Sequence, residues 1–166
     1  MTTAFIALFV GHHVGDHWAQ TDHQATTKGE HGGAGRRACA AHVATLTLCQ
    51  MVALALVAVA EGGFAPVQAA MGLAVGAASH YWCDRRTTLE GLAHLMGKHG
   101  YYTRGGAAHL DYAFHIAFLL PCALIITEPD LAAAAALAGL CLVGLGIADQ
   151  ASRLGWAEAR KAATTS

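Results

Sequence analysis

Three times in this chain a histidine and an aspartate stand four positions apart: His12 with Asp16, His80 with Asp84, and Asp111 with His115. Residues at i and i+4 of a helix share one face, so each pair can offer an imidazole nitrogen and a carboxylate oxygen to a single point. That donor mixture suits Zn, Mn, Fe or Ni better than the all-oxygen shells of Ca or Mg, and Zn is the ion expected first. His42, in a stretch otherwise apolar apart from Thr45, Thr47 and Gln50, is a seventh candidate ligand. Seven donors exceed what one tetrahedral ion uses. Two ions about 3.5–4 Å apart would employ them, with carboxylates bridging and positions left open for water or substrate. Any one of these residues alone could be satisfied by a backbone carbonyl or an interfacial arginine. As a set they mark a site, because an ionisable group inside an apolar span costs about 3 kcal/mol on insertion scales and more by other reckonings.

The elements that must position these residues read as membrane helices. With 166 residues, 55% of them hydrophobic and 13% charged, and a mean hydropathy of +0.40, the chain has room for one domain and is too apolar for an ordinary soluble one. A bilayer core of about 30 Å takes about 20 apolar helical residues. Five stretches qualify, at 4–20, 39–60, 66–84, 109–127 and 131–148, within a single integral domain over 1–166. The glycine-rich segment 21–38 reads as a loop, and the short links at 61–65 and 128–130 imply antiparallel neighbours. Stretch 87–99 places Leu89, Leu92, Leu95 and Met96 on one face of an expected interfacial helix. No removable signal peptide is expected, since the apolar start lacks a basic leader and a cleavage site.

All ten basic residues fall after the first, third and fifth spans: Lys28, Arg36 and Arg37, then Arg85, Arg86, Lys98 and Arg104, then Arg153, Arg160 and Lys161. The two other loops carry Glu61, Glu128 and Asp130 and no Lys or Arg. The positive-inside rule then places the N-terminus outside and the C-terminus in the cytoplasm, in an all-α, multi-pass bundle of the cell membrane, taken as a bacterial inner membrane. A soluble helical bundle is the alternative, disfavoured because buried core helices are shorter and more amphipathic. In the five-span layout all seven candidate ligands lie within about two turns of the cytoplasmic side, on four helices, as in four-helix metal carboxylate bundles. His13 and His17 lie off the His12/Asp16 face, and His23, His31, His94 and His99 read as solvated. His109, Asp149 and Gln150 lie at the same level, with their participation open. The five cysteines, Cys39, Cys49, Cys83, Cys122 and Cys141, stand singly in apolar stretches and read as packing residues.

The run Gly11-His12-His13-Val14-Gly15-Asp16-His17-Trp18-Ala19-Gln20-Thr21-Asp22, followed by Gln24, Ala25 and Lys28, resembles the opening of the small bacterial membrane proteins of domain-of-unknown-function family 3307. His42, His80 with Asp84, and Asp111 with His115 match that family's later motifs, and the resemblance covers about residues 4–120. Tyr112 stands where the family usually has Gln. The resemblance implies the helical architecture and the site, and no particular reaction.

These features point first to a metal-dependent hydrolase acting at the cytoplasmic interface on a phosphate or ester of a lipid-like substrate. In that reading Asp16, Asp84 and Asp111 are the catalytic carboxylates, one left uncommitted as general base, and Arg85 or Arg86 holds an anionic head group. Alternatives are a metal-ion or proton-coupled transporter, an iron or manganese oxidative enzyme, and a metal-stabilised scaffold without catalysis. The transporter is disfavoured by the apolar outer halves of spans two to five. Basic residues spread over loops, with no recognition motif, argue against nucleic acid, leaving the bilayer and a lipid-like or small-molecule substrate as partners. Oligomeric state is not readable from sequence.

Overall fold

The computed structural model describes residues 1–165. Helices account for 88% of the chain and no strand occurs among the described residues, as the sequence leads one to expect. The order is α1 (Thr2–Val14), a π-helical turn (Gly15–Ala19), α2 (Asp22–Thr27), α3 (Gly32–Glu61), α4 (Pro66–Asp84), α5 (Thr87–Leu95), the single turn α6 (His99–Tyr101), a second π-helical turn (Tyr102–Gly106), α7 (Ala107–Thr127) and α8 (Leu131–Thr165).

Three helices are long and apolar enough to cross a membrane: α3, the run His99–Thr127 that contains α7, and α8. Stretches 4–20 and 66–84 are helical almost throughout but are not among the three. The physical reason is that α1 has only 13 residues before the π turn, and both segments spend positions on polar site residues. Large apolar side chains face outward on α3, as Leu48, Met51, Val52, Leu56 and Val59, and on α8, as Leu140, Leu142, Val143 and Ile147. Exposed apolar surface of that extent is what a lipid environment covers.

Segment 21–38 is not the loop its glycines suggest. Thr21 caps α2 through a reciprocal pair, its Oγ1 accepting from the Gln24 backbone while Gln24 Oε1 accepts from the Thr21 backbone. α3 then starts at Gly32, seven residues before the expected boundary at 39. The last helix also outruns its expected end at 148, reaching Thr165 because Arg153, Glu158, Arg160 and Lys161 are good helix formers that continue it beyond its apolar part.

That extension gives α5 a partner. α5 packs across α8 beyond residue 148, and a Cβ at Gly91 would lie 2.5 Å from the Ser152 carbonyl and from Trp156. The Trp156 indole donates to the Thr87 carbonyl at 2.8 Å, and the Trp82 indole donates to Asp149 at 3.1 Å. Leu89 is buried beside Trp82 and Cys83 of α4, whereas Leu95 and Met96 remain exposed, so the apolar face expected of an interfacial helix is divided between protein and surroundings.

α1, α3, α4 and α7 form the bundle that holds the ligand pairs, with α1 against α3 and α7, and α4 against α3 and α7. One end is filled by Ala4, Leu8, Leu54, Val75, Leu119, Ala123, Ile125 and Ile126, an apolar cluster that also takes in Ala134 of α8. The other end carries the polar residues. There Gly15 permits the approach of α3, since a Cβ on it would lie 2.9 Å from the Leu46 Cα.

Gly91→Val is expected to destabilise the fold by about 1–3 kcal/mol through overpacking. Thermal melts in detergent and amide exchange should show α5 losing protection while the bundle end built from α1, α3, α4 and α7 stays ordered.

Candidate metal centre

The C-terminal turns of α1 and α4 meet the N-terminal parts of α3 and α7 at the polar end, and helical periodicity turns each His/Asp pair inward. His42, wholly buried, sits at the middle. Its Nε2 lies 3.0 Å from His80 Nε2, 3.0 Å from Asp16 Oδ1 and 3.3 Å from Asp84 Oδ2. His80 Nε2 in turn lies 3.5 Å from Asp16 Oδ1 and 3.1 Å from Asp84 Oδ2.

An imidazole nitrogen has one in-plane N–H or lone pair, so His42 Nε2 cannot hydrogen-bond all three neighbours. Asp16 Oδ1 and Asp84 Oδ2 accordingly are buried without a hydrogen bond of good geometry, as are His12 Nε2 and His115 Nε2. An ion accepts donors from several directions at once. Two ligands at about 2.0–2.1 Å from one tetrahedral ion stand roughly 3.3 Å apart, the spacing found in these five contacts. The residues present could therefore hold a metal ion.

The other expected ligands adjoin this group. His12 Nδ1 lies 3.1 Å from Asp16 Oδ2, and a nitrogen of His12 groups with one each of His80 and His115 within 4.8 Å. His115 Nε2 lies 3.6 Å from Asp111 Oδ2 and 3.8 Å from Asp84 Oδ1. All seven expected ligands thus come to one end of the bundle. Their donor atoms form overlapping groups rather than one shell, centred on His42/His80 and on His115.

Cys83 joins the second group, its thiol donating to Asp111 Oδ1 at 3.3 Å. Its sequence context, a lone cysteine in an apolar stretch, gave no sign of this. His109 is exposed, Asp149 is committed to Trp82 and Arg153, and His13 Nδ1 pairs with the Phe9 carbonyl, so none of these three belongs to the donor groups. His23 and His31 are exposed as expected. His94 and His99 are not simply solvated: their half-buried rings stack at 3.7 Å beside Glu90 and can form a second, separate donor group with it. Slight burial, then the His99 ring, lowers the His94 pKa from its ordinary value.

A cavity of about 530 Å³ opens beside the cluster, lined among others by Asp16, Gln20, Lys28, Asp84, Arg86 and Asp111. Asp111 is the carboxylate most open to it, its side chain 39% exposed against 3% for Asp84. The lysine arrives on a strap formed by α2 and the turn after it. Lys28 Nζ lies 2.9 Å from Asp84 Oδ1, on the opposite side of that carboxylate from His42 and His80. Arg85 grips the strap by donating to the carbonyls of Lys28 and Glu30, and Arg86 donates to the Ala25 carbonyl at 3.0 Å. Arg86 is the one non-glycine residue with positive φ among the described residues, at 55°, a conformation that costs about 1–3 kcal/mol and collects at functional sites.

Set against family models, curated proteins and solved structures, the chain matches none.

Arg85→Ala should free the strap, seen as faster amide exchange over residues 24–31, while leaving the contacts of His42 and His80 in place. In a proton NMR titration, the His94 ring should show a midpoint below the ordinary 6.5 and move back toward it in His99→Ala. A folded-state pKa below the unfolded value means the His94 contribution to stability is present above pH 6.5 and is lost as pH falls below it.

Proposed function

We propose that this chain is a multi-pass membrane protein whose His/Asp centre holds one or two divalent transition metals, zinc first among them, and hydrolyses a phosphate or ester of a lipid-like substrate. The observation that carries the reading is the packing of His42, His80, Asp16 and Asp84 donor atoms at 3.0–3.5 Å, with Asp16 and Asp84 on the wall of a cavity large enough for a head group. The same reading takes α1 and α4 as further spans with the N-terminus outside, the site at the cytoplasmic level, and the chain as a relative of domain-of-unknown-function family 3307.

His12, Asp16, His42, His80, Asp84, Asp111 and His115 would hold the metal, which when bound supplies Lewis acidity and a more acidic water. Around it the chain's own groups divide the work. Asp16 and Asp84 face imidazoles on the inner side, whereas Asp111 faces the cavity and is placed to take a proton at a carboxylate oxygen. The Cys83 thiol, donating to Asp111 Oδ1 at 3.3 Å, orients that carboxylate. A transport path is disfavoured because the buried apolar cluster of Leu8, Leu54, Val75, Leu119 and Ile126 fills the opposite end of the bundle.

Elemental analysis of detergent-purified protein tests the centre. Wild type should carry at least one transition-metal equivalent, and Asp16→Ala and Asp84→Ala should each retain less than about a tenth of it, in line with the loss of a direct ligand. A folded wild type free of metal would overturn the reading. Metal-loaded protein that turns over no phospholipid, isoprenoid phosphate or ester in a broad panel would remove the hydrolase assignment and leave the metal centre standing.

A further inference from the structure

By sequence Lys28 counts only among the residues that set membrane orientation, and Arg86 either among them or as a holder of an anionic head group. Both line the cavity beside the three carboxylates. Lys28 is carried there by a capped helix whose following turn Arg85 grips through two carbonyls, so its ammonium group is held in place by backbone as well as by its 2.9 Å contact with Asp84. One Lys28 donor is used by that contact, and an ammonium has three. The Arg86 guanidinium spends one of its N–H groups on the Ala25 carbonyl and makes no other hydrogen bond among the described residues. Its fork retains the donors that match a phosphate edge. Gln20 lines the same cavity, and its Nε2 is buried without a hydrogen-bond partner.

From these three side chains we infer that the cavity is a phosphate-binding site, with Lys28, Arg86 and Gln20 as its donors, and that the substrate is a phosphate monoester or diphosphate rather than a neutral ester. The inference rests on the hydrolase reading above and narrows its substrate class. A neutral ester carbonyl needs no cation pair beside the reacting centre. A phosphate presents several anionic oxygens, which a lysine, an arginine fork and an amide N–H can take up together while the metal-side residues face the remaining oxygen. Phosphate free in solution and phosphate on a lipid head group share this chemistry.

Binding of orthophosphate, and of phosphatidic acid in nonionic micelles, is measured by calorimetry on the full-length, zinc-supplemented protein, with metal content read on the same samples. Wild type, Lys28→Met, Arg86→Met and Lys28→Arg are compared. Phosphate affinity should fall at least tenfold in Lys28→Met and Arg86→Met with metal content and helicity unchanged, and Lys28→Arg should recover most of it. Tighter binding of phosphatidic acid than of orthophosphate assigns the site to a lipid head group; equal or weaker binding assigns it to a soluble phosphate. Wild type that binds neither probe, or methionine variants that bind them as wild type does, overturns the inference while a normal metal content leaves the centre intact. Loss of metal from wild type registers separately, as failure of the metal reading, and phosphate binding still abolished by Lys28→Met in that sample supports the anion site by itself.

Discussion

Two carboxylates, Asp16 and Asp84, face two imidazoles, His42 and His80, in a region from which water is largely excluded. Taking such groups out of water costs several kcal/mol each unless their charges and lone pairs are satisfied, and the rest of the polar end is arranged around that cost. Asp84 meets it with one oxygen toward the imidazoles and the other on Lys28. Asp16 does so with His12 on one side and His42 on the other. Four donors drawn into mutual contact from three elements, the π-helical turn after α1, α3 and α4, also fix those elements, since none can slide a turn without stranding a buried charge.

Close packing makes the convergence geometrically feasible. Imidazole and carboxylate side chains reach a common point only if the helix axes run near each other, and Gly15 allows this at the α1/α3 crossing by leaving out the Cβ that would strike Leu46. On the far side the apolar cluster anchored by Leu8, Leu54, Leu119 and Ile126 holds the same helices, with the Gln50 amide donating to the Leu8 carbonyl beside it. The bundle is thus mainly apolar at one end and polar at the other. The cavity of about 530 Å³ at the polar end lies where the strap crosses.

What could be read in the sequence followed periodicity and rarity. The three four-residue His/Asp spacings need only a regular helix to be brought to one face, and His42 stood out as an ionisable group in an apolar stretch. Cys83 could not stand out in the same way, because a cysteine among apolar residues is usually packing; its contact with Asp111 depends on how α4 and α7 are rotated against each other. α2 was hidden by the glycines around it, although Thr21 and Gln24 carried a capping signature. The length of α8 was hidden because its charged residues mark the end of an apolar span, and helix formation does not stop where hydrophobicity does. Lys28 was legible as a charge and not as part of the site, since sign and loop position determine orientation in a membrane but say nothing about where a side chain turns after folding; Arg85 and Arg86 were legible as a choice between topology and an anionic head group, and only the fold separates Arg85, turned to the strap, from Arg86, which lines the cavity.

The electrostatics of the cavity tie these late-read residues to the early-read ones. Asp16, Asp84 and Asp111 together face Lys28 and Arg86, so with neutral histidines the cavity is formally acidic by one charge. An anion entering on those terms meets net repulsion from the carboxylates, which the two cations offset only in part. On the proposed reading, one divalent ion among the histidines would reverse the sign, and Lys28 and Arg86 would then add to an attractive field instead of cancelling an adverse one. The strap and the residues that would hold the metal are in this sense one device. Those residues alone would build an ion site with no hold on an anion, and the two cations alone would hold one more weakly, being partly spent on Asp84 and its neighbours.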